Sequence, residues 1–364
     1  MTDFSASLPL PPLNIPPSDA TVQVSIIDST SRVKGLPTKL FFQPVIKGYE
    51  VVDCPAFSFL IEHESTGKKL LFDLGVAKDW RNGPPAIANR ILQNNWDVTV
   101  RKNVSDILAE HGVPLESITT IIWSHYHWDH TGDPSLFPPT TSLTVGPGFT
   151  KSQTPGYPTN PDALILESAY EDRELVEIHF GEDPELLLGH FRAYDYFGDG
   201  SFYLLDSPGH AIGHICGLAR TTPDTFVLMG GDTCHHGGQL RPTQYLPLPD
   251  YISPNPFEPQ GPPCPGSVLL DVHPHKNGTE PYFQIGGMNG KSSHDDPPEA
   301  RRSLNKLQEF DGHPNVLTVI AHDHSLLGLV DLYPKTINDW YNKGYKQLGL
   351  WQFARDFQVA VRSN

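Results

Sequence analysis

An α/β fold with its strands in two separate runs is what this 364-residue sequence predicts, and three observations carry the expectation. Short apolar or alternating segments recur between segments of helical period, the two signals that separate strand from helix. The strands gather before about residue 125 and again after about residue 200, each run flanked by helices. Both runs end in clusters of histidine and aspartate, at positions where a sheet holds side chains rigidly while leaving them open to solvent.

Residues 1–20 carry Pro9, Pro11, Pro12, Pro16 and Pro17 and read as an extended arm or a strap laid on the body. Residues 21–27 alternate as a strand, the start of a domain running to residue 364. Segments 56–62 and 69–75 form a hairpin with Gly67 in its turn. Residues 85–94 are helical, and 105–112 form a second helix with Ser105 as N-cap and Gly112 just past its end. A buried strand at 118–123 delivers the chain into Ser124-His-Tyr-His-Trp-Asp-His-Thr-Gly132, and a Pro/Gly-rich connection follows at 134–161. Strands are expected at 175–180, 202–206, 215–220 and 225–229, a helix at 299–310, a strand at 316–320 and closing helices over 336–357. Between 241 and 298 lie 13 of the 36 prolines, with little periodicity. An irregular insertion of that length is usually functional, and here its stiffness suits a substrate lid.

Composition excludes several partners. Lysine plus arginine number 26 against 42 aspartates and glutamates, a net charge of −16 that repels nucleic acid and anionic membrane. No apolar run approaches the roughly 18 residues of a membrane span, and the amino terminus lacks the pattern of a secretory signal. Cys54, Cys216, Cys234 and Cys264 form no C-x-x-C pair, so free thiols and a cytoplasmic location are expected.

The segment His125-x-His127-x-Asp129-His130 offers three imidazoles and a carboxylate within six residues, a donor mixture suited to zinc, with iron, manganese or cobalt also accommodated. His210, Asp232 and His322, each at an expected strand end, can supply the ligands that this segment lacks for two metals. His214 competes with His210 and His324 with His322, and an Asx-turn is the plain alternative for Asp232. His63, His111, His179, His190, His273, His275, His294 and His313 are read as surface or loop residues.

Taken in order, His125-x-His127-x-Asp129-His130, Ser207-Pro-Gly-His210, Gly231-Asp232 and Ala321-His322-Asp323 resemble the ligand set of the metallo-β-lactamase superfamily of hydrolases. Leu71-Phe-Asp73-Leu-Gly75 resembles the strand end that supports its metal loop. The resemblance covers roughly residues 20–330 and implies an αββα sandwich with a dinuclear site between the sheet edges. It also implies two zinc ions per chain, one held by His125, His127 and His210, the other by Asp129, His130 and His322, with Asp232 bridging and Cys234 outside the set. A hydroxide shared by such a pair attacks a carbonyl without a serine or cysteine nucleophile. Asp232, Asp129 and His235 are then the candidate catalytic side chains, Asp232 as acceptor of the hydroxide proton.

In the lactonase branch a tyrosine stands three residues after the bridging aspartate; here that position is His235, an imidazole able to donate a hydrogen bond or a proton. The Asp-x-x-His-His pattern with a long Pro-rich insertion is similar to fungal members that open lactones or lactams. A small neutral lactone or lactam is therefore the expected substrate. Tyr194, Tyr196, Phe197, Tyr245, Tyr251 and Phe257 are candidates to line its pocket. The runner-up is a thioesterase of the glyoxalase II kind, whose anionic substrates call for a basic patch; Arg220, Arg241 and Lys291 are scattered candidates. A metal-binding scaffold without catalysis is the reading from a different class.

Overall fold

The computed structural model describes residues 8–181, 186–287, 290 and 292–363. Two mixed sheets make the body. The first contains β1 (Gln23–Pro37), β2 (Val51–His63), β3 (Lys68–Phe72), β4 (Asp97–Val100), β5 (Ile118–Ile122), β6 (Ser142–Val145) and β7 (Leu175–Glu177), in the order β4-β1-β2-β3-β5-β6-β7. The second contains β8 (Leu187–Leu188), β9 (Phe191–Asp195), β10 (Phe202–Asp206), β11 (Ile215–Thr222), β12 (Thr225–Met229) and β13 (Val316–Val319), in the order β13-β12-β11-β10-β9-β8. Hairpin neighbours pair antiparallel, while β3-β5, β5-β6, β6-β7 and β12-β13 pair parallel.

The period-two alternation of the strands sorts their side chains into layers. In β10, Phe202 and Leu204 face the first sheet and join Val24, Ile26, Phe59, Phe72 and Ile122, whereas Tyr203 and Leu205 face outward with Leu304, Leu307 and Phe310 of the helix Pro297–Gly312. The outer face of the first sheet packs Leu71, Ile121 and Leu143 against Ile107 and Leu108 of the helix Val104–Glu110. Helix, sheet, sheet, helix is the expected αββα sandwich.

Several boundaries differ from expectation for local reasons. Beyond residue 27 the alternation of β1 breaks at a bulge, with a register shift between Asp28 and Arg32 and Thr30 at φ +61°, so the strand runs ten residues farther than its pattern suggests. The expected strand 175–180 is only Leu175–Glu177. Ser105 is not the N-cap; the helix starts at Val104 with Asn103 as the cap, whose N–H donates to the Asp106 carboxylate at 3.0 Å. Gly112 at φ +74° does terminate it. The closing region holds only short pieces, Tyr345–Gly349, Gln352–Phe357 and Gln358–Ser363.

The Pro-rich arm is a strap where it is described. Leu13 is buried, its carbonyl accepts from Gly189 N at 2.6 Å, and Pro16 O accepts from the Arg220 guanidinium at 2.6 Å. The 241–298 stretch is less irregular than expected. It contains the helix Gly266–Val272, pairs Tyr251–Ile252 with Cys264–Pro265, and lays Gln284–Ile285 beside Phe42–Gln43. Its first residue is anchored to the helix Pro297–Gly312 by a bidentate pair, Arg241 Nε and Nη2 to the two Asp311 oxygens at 2.6 Å each. Among the described residues no helix is long and apolar enough to cross a membrane.

Candidate metal centre

The site is assembled from the carboxyl ends of β3, β5 and β13 and from the loops after β10 and β12. Asp73, just past β3, turns back with φ +59° and braces the loop after β5. Its carboxylate accepts from Ser124 N at 2.6 Å, Ser124 Oγ at 2.7 Å and His130 Nδ1 at 2.8 Å. Gly132 completes the fold-back at φ +49°, where a Cβ would sit 2.3 Å from that of Leu74, so only glycine fits. With Nδ1 of His130 committed to Asp73, its Nε2 is left to face the centre. The same logic orients His322, whose Nδ1 donates to Pro55 O at 2.8 Å.

Asp232 occupies the middle of the cluster, and its two oxygens face different partners. Oδ1 lies 3.1 Å from His130 Nε2 and 3.0 Å from His322 Nε2. Oδ2 lies 3.3 Å from His210 Nε2 and 3.8 Å from His125 Nε2. His127 Nδ1 approaches His210 Nε2 at 2.9 Å, and Asp129 Oδ2 stands 3.7 Å from His322 Nε2. Two groups result, each with donor atoms within 4.8 Å of one another: His125, His127, His210 and Asp232, and Asp129, His130 and His322. All seven residues named from the sequence as ligands are thus brought together, Asp232 grouping with His125, His127 and His210.

The electrostatics of the first group suit a cation. Burial pushes His125, His127 and His210 below the ordinary imidazole value, which keeps them neutral and ready to donate lone pairs. Burial acts the same way on His130, but the carboxylates of Asp232 and Asp73 outweigh it and raise the group to about 10. For Asp232 burial would raise the pKa, yet the neighbouring His322, His130 and His235 hold it well below the carboxylate range. His125 Nε2, His130 Nε2 and Asp232 Oδ1 are buried and make no hydrogen bond of regular geometry, the last two meeting only in the ionic approaches given above, a costly state for polar atoms unless they are donors to an ion. Imidazole nitrogen with carboxylate oxygen is a donor set that fits divalent zinc.

The competing histidines take other parts. His214 accepts the Asp232 backbone N–H at Nε2 (3.0 Å) and meets Ser207 Oγ at Nδ1 (2.8 Å), so it holds the aspartate in place from behind. His324 reaches out to Asp356 at 3.3 Å. Cys234 is buried with its thiol donating to His236 O at 3.1 Å, and burial pushes its pKa up. His235 Nε2 lies 3.1 Å from Asp232 Oδ2, and its ring lines a small cavity of about 20 Å³ with Asp129, His322, Cys54, Val33, Leu36, Phe41 and Val52. None of the six aromatic residues expected at a substrate pocket lines that cavity; Tyr251 is 69% exposed, and Tyr196 and Phe197 pack on the inter-sheet core.

Three histidines read as surface or loop are buried: His63, His273 and His294. His63 pairs with Asp199 at 2.8 Å and His273 Nε2 with Glu280 O at 2.8 Å, both ordering loops. His294 is different, because its ring lies 5.0 Å from that of His210 and 5.3 Å from that of His235. Its only sequence signal was its place near the end of the insertion.

The comparisons with known proteins agree with this geometry. Residues 51–313 match the family model described as the metallo-beta-lactamase superfamily. The chain is 44% identical over 353 residues to gamma-lactamase FDB1 of Fusarium pseudograminearum, covering 95% of this chain and 85% of that protein. It is 43% identical over 359 residues to metallo-hydrolase mfmC of Annulohypoxylon moriforme, covering 97% and 92%. Among solved structures, a B. thuringiensis AiiA variant with N-decanoyl-L-homoserine bound at its active site superposes with a TM-score of 0.56 at 17% identity, over 87% of this chain and 100% of that one. With a family model spanning most of the chain and relatives above 40% identity along nearly its whole length, the chain belongs to the metallo-beta-lactamase superfamily.

Proposed function

We propose that this protein is a zinc-dependent hydrolase, with two ions per chain, that opens a small neutral cyclic amide or ester. The observation that carries the reading is the divided Asp232 carboxylate, one oxygen toward His130 and His322 and the other toward His125 and His210. His125, His127 and His210 would hold one ion, Asp129, His130 and His322 the other, and Asp232 would bridge. When bound, the metal pair supplies an activated water at neutral pH and polarises the scissile carbonyl.

The chain's own groups supply the rest. Asp232 and Asp129 are the carboxylates placed to accept the proton released as water adds to the carbonyl. Asp73 and His214 keep the donors aimed, the first through Ser124 and His130, the second through the Asp232 backbone. Val33, Leu36, Phe41 and Val52 put an apolar wall beside the second ligand group, but the cavity they line, about 20 Å³, has room for about one water, so a substrate ring would enter only with movement of that wall. Two relatives, FDB1 and the 47% identical MBL2 of Gibberella moniliformis, carry the name gamma-lactamase, which supports a ring amide. A thioester of an anionic carrier fits less well. Arg220 is spent on the carbonyls of Gly200, Pro223 and Pro16, Arg241 on Asp311, and Lys291 lies outside the described residues. Four free, buried cysteines suit a reducing compartment, and the cytoplasm is the location we infer.

The test is a hydrolysis panel of lactams, lactones and linear thioesters with zinc-loaded protein, alongside elemental analysis. Expected are about two metals per chain and ring opening that chelation abolishes and zinc restores. Equal or better turnover of the thioesters would overturn the ranking. Fewer than one metal per chain with no hydrolysis would leave a scaffold.

A further inference from the structure

A carboxylate outside the ligand groups takes a histidine on each of its oxygens. Asp356, half-buried in the segment Gln352–Phe357, lies 3.0 Å from His236 Nε2 at Oδ2 and 3.3 Å from His324 Nε2 at Oδ1. The two histidines belong to different loops. His236 follows Asp232 on the loop after β12, and His324 follows His322 on the loop after β13. Those loops already meet through proposed ligands, Asp232 Oδ1 facing His322 Nε2 at 3.0 Å. One acidic side chain from the last turns of the chain thus joins them by a second route.

His236 has little freedom to give way. Gly238 N donates to its Nδ1 at 2.9 Å, which leaves the ring proton on Nε2, aimed at Asp356. Rings of Phe42, Tyr49, Phe283, Phe353 and Phe357 surround it with centroids 5.1–5.9 Å away, and the last two belong to the same segment as Asp356. Gly237 fits only without a side chain, since a Cβ there would sit 2.6 Å from Phe353 Cδ1. Back toward Asp232 the loop is tied by Cys234 Sγ to His236 O at 3.1 Å, His235 N to Gln239 Oε1 at 2.9 Å and Thr233 N to Gly230 O at 3.2 Å. On the other loop His324 N donates to His322 O at 2.9 Å. A shift of either histidine is therefore passed to the ligand beside it rather than absorbed by slack chain.

We propose that Asp356 is a positioning residue of the metal centre: by holding His236 and His324 together it sets the spacing of Asp232 and His322, and with it the affinity of the second ligand group for its ion. Partners that stand behind metal ligands commonly govern their aim in this way. His125, His127 and His210 stand on other loops, after β5 and β10, so the first group keeps its three imidazoles when this clasp is lost. The inference rests on the two-ion reading above, and its test is read without substrate.

Competition with a chromogenic chelator gives the two zinc dissociation constants, and Asp129→Ala identifies the equivalent held by the second group. Asp356→Asn must present a donor to one of the two histidines, and His324→Leu breaks one contact while keeping the bond to His236. In both, the second-group equivalent should weaken about tenfold to a hundredfold, with the other close to wild type. His324→Gln, whose amide can still donate to Asp356 Oδ1, should recover most of the loss. The His324 side chain is 33% exposed, so its variants carry the test should Asp356→Asn fail to fold. Unchanged constants, equal weakening of both equivalents, or no recovery in His324→Gln would overturn the inference and leave the hydrolase reading standing. A wild type that binds fewer than two zinc ions would overturn it even if rings are opened. If the variants behave as expected in a protein that opens no ring, the hydrolase reading alone falls.

Discussion

Asp73 touches neither ligand group directly through a metal-facing atom, yet three hydrogen bonds make it the brace of the loop that carries four of the ligands. Asp73→Asn keeps its size but replaces an acceptor oxygen with a donor, opposing either Ser124 or His130. Zinc affinity, measured by competition with a chromogenic chelator, is expected to fall about tenfold to a hundredfold; an unchanged affinity would remove Asp73 from this role. The seven proposed ligands were legible in the sequence because each follows a strand and is marked by a short local pattern around it. Of the competing pairs, His210 and His322 stand beside the Asp232 carboxylate, whereas His214 supports the Asp232 backbone and His324 turns to Asp356. His294 was not legible. Its position depends on backbone bonds to Leu40, Gly209 and His210, partners more than eighty residues away in sequence, and nothing in its neighbours announces them.

At the scale of elements, strands such as β10 and β12 were readable because they are buried on both faces and nearly wholly apolar. The second half of β1 was not, since a bulge breaks the alternation that a strand shows. The insertion's small pairings were invisible for another reason: each involves two residues per strand, too few for a period to register. What anchors the insertion is ionic. Burial would raise the Asp311 pKa, but Arg241 and then Lys346 hold it below its ordinary 3.8. Because the folded value lies below the unfolded one, this stabilisation is complete above about pH 4 and is lost as pH falls through the folded value. Asp311→Asn, which strands the buried guanidinium, should cost about 3–5 kcal/mol in urea unfolding at pH 7. The gap between variant and wild type should narrow steadily below pH 3.8; a gap independent of pH would show that the pair contributes through packing alone.

The whole molecule is a sandwich with its two edges tied by segments that the core topology does not require. The amino-terminal strap ties one side, with Leu13 packed on the second sheet and Pro16 receiving the Arg220 guanidinium. Deleting residues 1–17 should lower the Tm by at least about 5 °C, since it removes a buried leucine, the charged bond from Arg220 and the bonds Leu8–Gln244, Pro11–His313 and Leu13–Gly189, with metal content retained. An unaltered Tm would mean the arm merely lies on the surface. The other tie is Asp295, whose Oδ2 receives Tyr126 OH at 2.9 Å and Ile212 N at 3.0 Å while its own N–H binds His210 O. One aspartate thus stitches the insertion to two of the three loops that supply the first ligand group. If an ion enters and leaves between those two loops, its passage requires that stitch to open. Metal exchange would then proceed at the pace of a local opening of the chain rather than at the pace of diffusion, and a slow off-rate would owe as much to this clasp as to the ligands themselves.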